Sequence, residues 1–201
     1  MAQVRKLAQL RRDAAGCRRC PLWKRGTQTV FGQGDPTAAI MLVGEQPGDA
    51  EDLAGEPFVG PAGGILARAL EAAGLSAVPR YVTNAVKHFK WEPRGKRRIH
   101  KKPRVSEVAA CHYWLEEEIA AIQPKVLVAM GATAARALLG PGISVVKARG
   151  QWLASSSGSA VMVTVHPASI LRAPDAAARR AGMAAFVADL KRAAKRVRTG
   201  P

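Results

Sequence analysis

The chain is short of acidic residues: 15 Asp and Glu stand against 31 Lys and Arg in 201 residues, for a net charge of +16 at pH 7 and a pI near 10.7. So large a deficit of negative charge argues against a cationic partner and points to a polyanion, nucleic acid first. The plainer alternative is a basic surface kept for solubility. A membrane surface fits less well, because no long apolar stripe accompanies the charge. No run approaches the roughly 20 apolar residues of a membrane span. The N-terminal stretch Met1 to Arg12 is basic but lacks the apolar segment of a signal peptide, so a cytoplasmic location is expected. Only three cysteines are present. That is too few for a disulfide framework in a reducing compartment and leaves metal ligation or simple burial. No internal repeat is visible.

What remains is enough for one sizeable core, since 48% of the residues are hydrophobic. A single domain over 1–201 is the expectation. Four short apolar runs, Ala38–Val43, Tyr81–Val86, Lys125–Met130 and Val161–Val165, are each followed by turn chemistry and read as buried parallel strands. Helical patterns occupy Gly63–Ala73, Val105–Ile122, Thr133–Leu139 and Pro174–Val197. The alternation predicts an α/β fold, a three-layer α/β/α sandwich around a central four-stranded parallel sheet. Between the second strand and the second helix, eight of the fifteen residues Lys90–Arg104 are Lys or Arg, with Pro93, Gly95 and Pro103 among them. This segment cannot be core and reads as an exposed basic loop.

Ligands of such sheets bind outside the carboxyl ends of the strands. The first strand runs into Gly44-Glu45-Gln46-Pro47-Gly48-Asp49, the second carries Thr83-Asn84, and the fourth runs into His166-Pro167-Ala168-Ser169, so polar groups from three strands converge on one edge. Taken singly, each has an ordinary reading: a Gly-rich turn, an Asn capping a strand end, a strand-end His-Pro pair. Taken together with Glu56-Pro57-Phe58-Val59-Gly60 and with Ile170-Leu171-Arg172, they resemble the iron–sulfur branch of the uracil-DNA glycosylases from about Cys17 to Arg172. Gln46 in the first motif and the segment Lys96-Arg97-Arg98-Ile99-His100 are similar to the UdgX group within that branch.

The resemblance implies an enzyme that flips uracil out of DNA, cuts its glycosidic bond and acts as a monomer. In the UdgX group the loop histidine, here His100, attacks the sugar and stays bonded to it. Glu45 is then placed to orient the ring and take its proton. His166 falls where the superfamily hydrogen-bonds the leaving uracil oxygen. Asn84 suits the uracil edge, because an amide both donates and accepts, and Phe58 offers a stacking face. Gln46, Asp49, Ser169 and Arg172 are assigned to the substrate, the last two to phosphates beside the lesion. Lys96, Arg97, Arg98, Lys101 and Lys102 are assigned to the DNA backbone.

Cys17 and Cys20 form a C-x2-C pair with Cys111 far along the chain. By spacing alone these suit a Cys3His zinc site as well as any other. The resemblance implies a structural [4Fe–4S] cluster instead, held in an N-terminal cluster-binding segment, with His88 as fourth ligand in a Val86-Lys87-His88 setting. His112 reads as structural. Two other functions remain: a conventional multiple-turnover glycosylase using water as nucleophile, and a non-catalytic nucleic-acid-binding metal protein.

Overall fold

The computed structural model describes residues 2–199. The elements in chain order are α1 (Ala2–Ala15), a 3-10 turn (Pro21–Lys24), β1 (Gln33–Gly34), β2 (Ile40–Gly44), α2 (Asp49–Ala54), α3 (Pro61–Ala72) and β3 (Arg80–Asn84). They continue with β4 (Trp91–Arg94), β5 (Arg97–His100), α4 (Val105–Ile122), β6 (Val126–Met130), α5 (Ala132–Leu139) and α6 (Val145–Ala148). The chain then forms β7 (Trp152–Ala154), β8 (Ala160–Thr164), α7 (Pro167–Leu171) and α8 (Ala176–Thr199).

One six-stranded sheet runs in the order β1-β3-β2-β6-β8-β7. Its four inner strands are parallel, as the apolar runs predict, while β1 and β7 close the edges as antiparallel strands. These edge strands, of two and three residues, are additions to the expected four. They are too short to leave a periodic signal. The inner strands alternate faces with period two. Met41, Val43, Leu127, Ala129, Val161 and Val163 pack toward α1, α4 and α5. Ile40, Leu42, Val126, Val128 and Met162 pack toward α3 and α8. Helices therefore cover both faces, and the three-layer sandwich is the observed architecture.

Strand order reverses at β2, which pairs with β3 on one side and β6 on the other. A crevice opens at the carboxyl ends of such a pair, and Glu45 and Gly131 stand directly beyond them. The basic segment is not a loop. Residues 91–94 and 97–100 form an antiparallel ribbon with Trp91 opposite His100. Gly95, at φ +60°, supplies the left-handed conformation of its two-residue turn. Pro93 and the dense positive charge hide this ribbon from propensity reasoning, because both are unfavourable in strands. No described helix is long and apolar enough to cross a membrane.

Candidate active site

The crevice is a cleft of about 570 Å³ lined by Glu45, Gln46, Asp49, Phe58, Asn84, His100, Thr133, His166, Ser169 and Arg172, among others. Its floor depends on close backbone approach. A Cβ on Gly44 would lie 2.3 Å from Asn84 Oδ1 and 2.6 Å from the Phe58 ring, so only glycine fits beneath this pair. Gly63 plays the same part in α3, where a Cβ would lie 1.7 Å from the Phe58 carbonyl oxygen. Phe58 itself sits at φ +59°, a strained conformation for a residue with a side chain, of the kind concentrated at functional sites. Its ring centroid is 6.1 Å from that of His166.

Asn84 is 2% exposed, and its Oδ1 has no hydrogen-bond partner among the described residues. A buried acceptor left unpaired costs about 1–3 kcal/mol, which a ligand donor in the cleft would recover. His166 accepts the Ala168 backbone N–H at Nδ1, 3.2 Å away. The neutral ring therefore carries its proton on Nε2. Burial, aided by the charge of Arg172 and opposed by Glu45, brings its pKa down to about 4, so the ring is a neutral donor at pH 7.

His100 lies at the end of β5 with Nε2 3.4 Å from Glu45 Oε1, its side chain half exposed. Burial lowers its pKa, with Arg172 acting in the same direction and Glu45 opposing. The ring is therefore neutral, with a lone pair to offer. The other Glu45 oxygen accepts the hydroxyl of Thr133, at the start of α5. Thr133, buried and missed by sequence reasoning, thereby fixes the carboxylate that faces His100.

Gln46 lines the cleft, but its side-chain amide is committed to the ribbon. Its Nε2 donates to the carbonyls of Lys101 (3.0 Å) and Lys90 (3.3 Å), and its Oε1 accepts the Lys90 N–H (3.1 Å). It pins both ends of the ribbon that carries His100. Arg98 likewise departs from its expected phosphate role. Its guanidinium binds Asp49 at 2.5 Å, Asp52 at 2.6 Å and the Thr27 hydroxyl at 3.2 Å. Asp49 is thereby a ribbon anchor, and Asp52, fully buried, also accepts the Thr27 backbone N–H. The Ser169 hydroxyl donates to the His166 carbonyl at 2.7 Å, so its proton is not free for a phosphate. Lys101 pairs with Glu92 at 2.9 Å, whereas Lys96, Arg97 and Arg172 stand exposed. Glu51, also missed, accepts the N–H groups of Gly48 and Gly60 at 3.0 Å each, tying the two motif loops together. The Gly48-x-x-Glu51 spacing of a capping box is the signal that could have found it.

The model of the uracil DNA glycosylase superfamily matches residues 31–191. The chain belongs to the uracil-DNA glycosylase superfamily. It is 38% identical over 157 residues to a type-4 uracil-DNA glycosylase of Thermotoga maritima, covering 78% of both chains. To the type-4 enzyme of Sulfurisphaera tokodaii it is 34% identical over 177 residues, 84% of this chain and 77% of that one. A type-5 enzyme of Thermus thermophilus is 34% identical over 153 residues, 67% of this chain and 65% of that one.

In this superfamily member the three cysteines belong to one core cluster, Cys111 on α4 and Cys17 and Cys20 packed against it from the N-terminal segment. The Trp114 indole N–H lies 3.1 Å from Cys17 Sγ, and the Lys87 backbone N–H lies 3.2 Å from Cys111 Sγ. Burial raises the Cys20 thiol and, despite nearby Lys87, pushes Cys111 up to about 12. Among the described residues no three His, Cys, Asp or Glu side chains converge on a single ion position. The tetrahedral Cys3His set is therefore not gathered. His88, buried, has Nε2 3.1 Å from the Thr29 hydroxyl. The donor set itself suits a cluster: three thiols packed in one region, with N–H groups aimed at two of the sulfurs.

Proposed function

We propose that this protein excises uracil from DNA and that His100 takes the sugar it frees. The observation that carries the reading is the chain Thr133–Glu45–His100, brought by a pinned ribbon to the cleft that also holds His166 and the unpaired Asn84 oxygen. Uracil offers an N3–H donor beside a carbonyl acceptor, the complement of an Asn amide, and Phe58 supports the flipped base. As the C1′–N1 bond breaks, its electron pair leaves with uracil, and the neutral His166 Nε2–H donates to the carbonyl oxygen where that charge collects. A ring nitrogen of His100 gives its lone pair to C1′. The ring becomes cationic as it is alkylated, and the Glu45 carboxylate stabilises both it and the oxocarbenium-like sugar before taking the ring proton.

Lys96, Arg97, Lys102 and Arg172 are the cations left to hold phosphates; Lys101 joins them if DNA displaces Glu92. Cys17, Cys20 and Cys111, with His88, would hold a [4Fe–4S] cluster whose contribution is to tie the N-terminal segment to α4 and the end of β3. A second reading, multiple turnover with water as nucleophile, is favoured by the likeness to type-4 enzymes. Denaturing gel electrophoresis after mixing the protein with a uracil-containing strand separates the two. A heat-stable protein–DNA band that needs both uracil and His100, and disappears with His100→Ala, supports the covalent reading. Uracil release without a band, unaffected by that substitution, overturns it.

A further inference from the structure

Residues 14–34 contain no Asp or Glu but carry Arg18, Arg19, Lys24 and Arg25, all exposed. None of the four lies within ion-pair distance of a described carboxylate, in contrast to Lys90, Arg98 and Lys101 of the ribbon. Glu92, whose acidity Arg25 increases, is already bonded to Lys101. Three of these cations instead lie on aromatic rings: Arg18 is 4.8 Å from the Trp23 centroid, Arg19 is 4.3 Å from Tyr113, and Arg25 is 5.9 Å from Trp91. The Trp91 indole N–H donates to the Arg25 carbonyl at 2.9 Å, locking the N-terminal segment to the ribbon. Trp91 is the cross-strand partner of His100, and Arg98 covers it as well, 5.5 Å from its centroid. A continuous track of uncompensated cations and half-buried rings therefore leads from the cleft edge through Trp91 and Arg25 to Trp23 and Arg18.

We infer that this track is a second DNA-contact surface, which binds single-stranded DNA flanking the flipped nucleotide. An exposed guanidinium over an indole leaves stacking surface for a base, and Lys24 and the Arg edges serve phosphates. Aromatic and Arg stacking interleaved with positive charge is the chemistry that holds single strands without regard to sequence. The inference rests on the reading that the cleft takes its nucleotide from DNA, but its test does not need uracil to be cut.

Equilibrium binding of uracil-free single strands is measured as a function of length and salt, for the wild type and for Arg18→Gln/Lys24→Gln/Arg25→Gln. Affinity should rise at least about ten-fold as the strand grows from about 5 to about 15 nucleotides, the span of a single-strand groove. In the triple variant this gain should vanish, and the slope of log affinity against log salt should shrink by about 2, at about 0.7 for each phosphate that the protein no longer neutralises. Uracil release from the shortest strand that the wild type cuts should be unchanged. The proposal is overturned if wild-type affinity does not grow with length, if the gain survives in the folded variant, or if a duplex of equal length gains as much. Should the triple variant not fold, the wild-type length series and its comparison with duplex decide the matter alone. Loss of uracil release with the length dependence intact would count against the proposed activity and not against this surface.

Discussion

Thr133 sets its hydroxyl on the Glu45 carboxylate, and that contact decides which way the free carboxylate oxygen faces. Loss of a hydrogen bond to a charged group costs about 1.5–3 kcal/mol. Thr133→Val should therefore slow sugar attack by about ten-fold or more in single-turnover experiments, while Thr133→Ser should restore it. The histidines set the pH dependence. In the folded protein His100 holds its proton less tightly than a free imidazole, because it is partly buried, so as pH falls the ring stays neutral through the ordinary value of 6.5 and protonates only below it. His166, at about 4, remains a neutral donor across that window. The single-turnover rate should thus stay level down past pH 6.5 and decline only at lower pH; an acid limb at or above 6.5 would contradict this environment for His100. Both rings bind protons more readily in the unfolded chain, so stability should also fall as pH drops from about 6.5 toward 4. Beneath the cleft, Lys87 Nζ and Glu118 Oε2 meet at 2.5 Å with both side chains fully buried. Lys87 also donates to the Asn84 carbonyl at 2.8 Å, and Glu118 accepts the Gly32 N–H at 2.9 Å. Lys87→Met leaves a buried carboxylate unpaired and should cost about 3–5 kcal/mol in denaturant unfolding, most of it recovered in Lys87→Met/Glu118→Leu.

At the scale of elements, the ribbon β4–β5 is held from outside itself. An isolated two-stranded ribbon is at best marginal in water. Here Gln46 binds both of its ends, Arg98 ties it to Asp49 and Asp52, and Trp91 ties it to Arg25. Gln46→Ala should leave the global fold intact yet raise hydrogen exchange at residues 91–100 and slow any step that depends on His100. These contacts also show where sequence reasoning stops. The four inner strands were legible because each is an apolar run long enough to be buried on both faces, and the matching helices because of their apolar spacing, although α3 begins two residues before the expected Gly63. The ribbon was not, because its stability comes from partners more than 40 residues away in sequence. The same holds for the side chains of the site. Asn84, Glu45 and His166 sit at the carboxyl ends of the inner strands, where topology predicts a cleft, whereas His100 reaches it from the ribbon. The positioning roles of Gln46, Arg98, Thr133 and Glu51 are set by contacts between elements, which no local pattern encodes.

The whole molecule joins a closely built cleft to a strongly cationic exterior. Five of its fifteen acidic residues, Glu51, Asp52, Glu107, Glu118 and Asp189, are buried in internal anchors, and the net charge of +16 leaves the exterior strongly positive. Binding to DNA should weaken steeply with salt, whereas the rate of sugar attack within the bound complex should change little, since the Glu45–His100 pair lies inside the cleft. The counting of uracil released per protein molecule on excess uracil-containing DNA bears most directly on the chemistry. If His100 captures the sugar, release should stop near one equivalent and the protein mass should rise by that of the bound strand. Steady release over many equivalents, with the protein mass unchanged, would contradict the capture and leave water as the nucleophile.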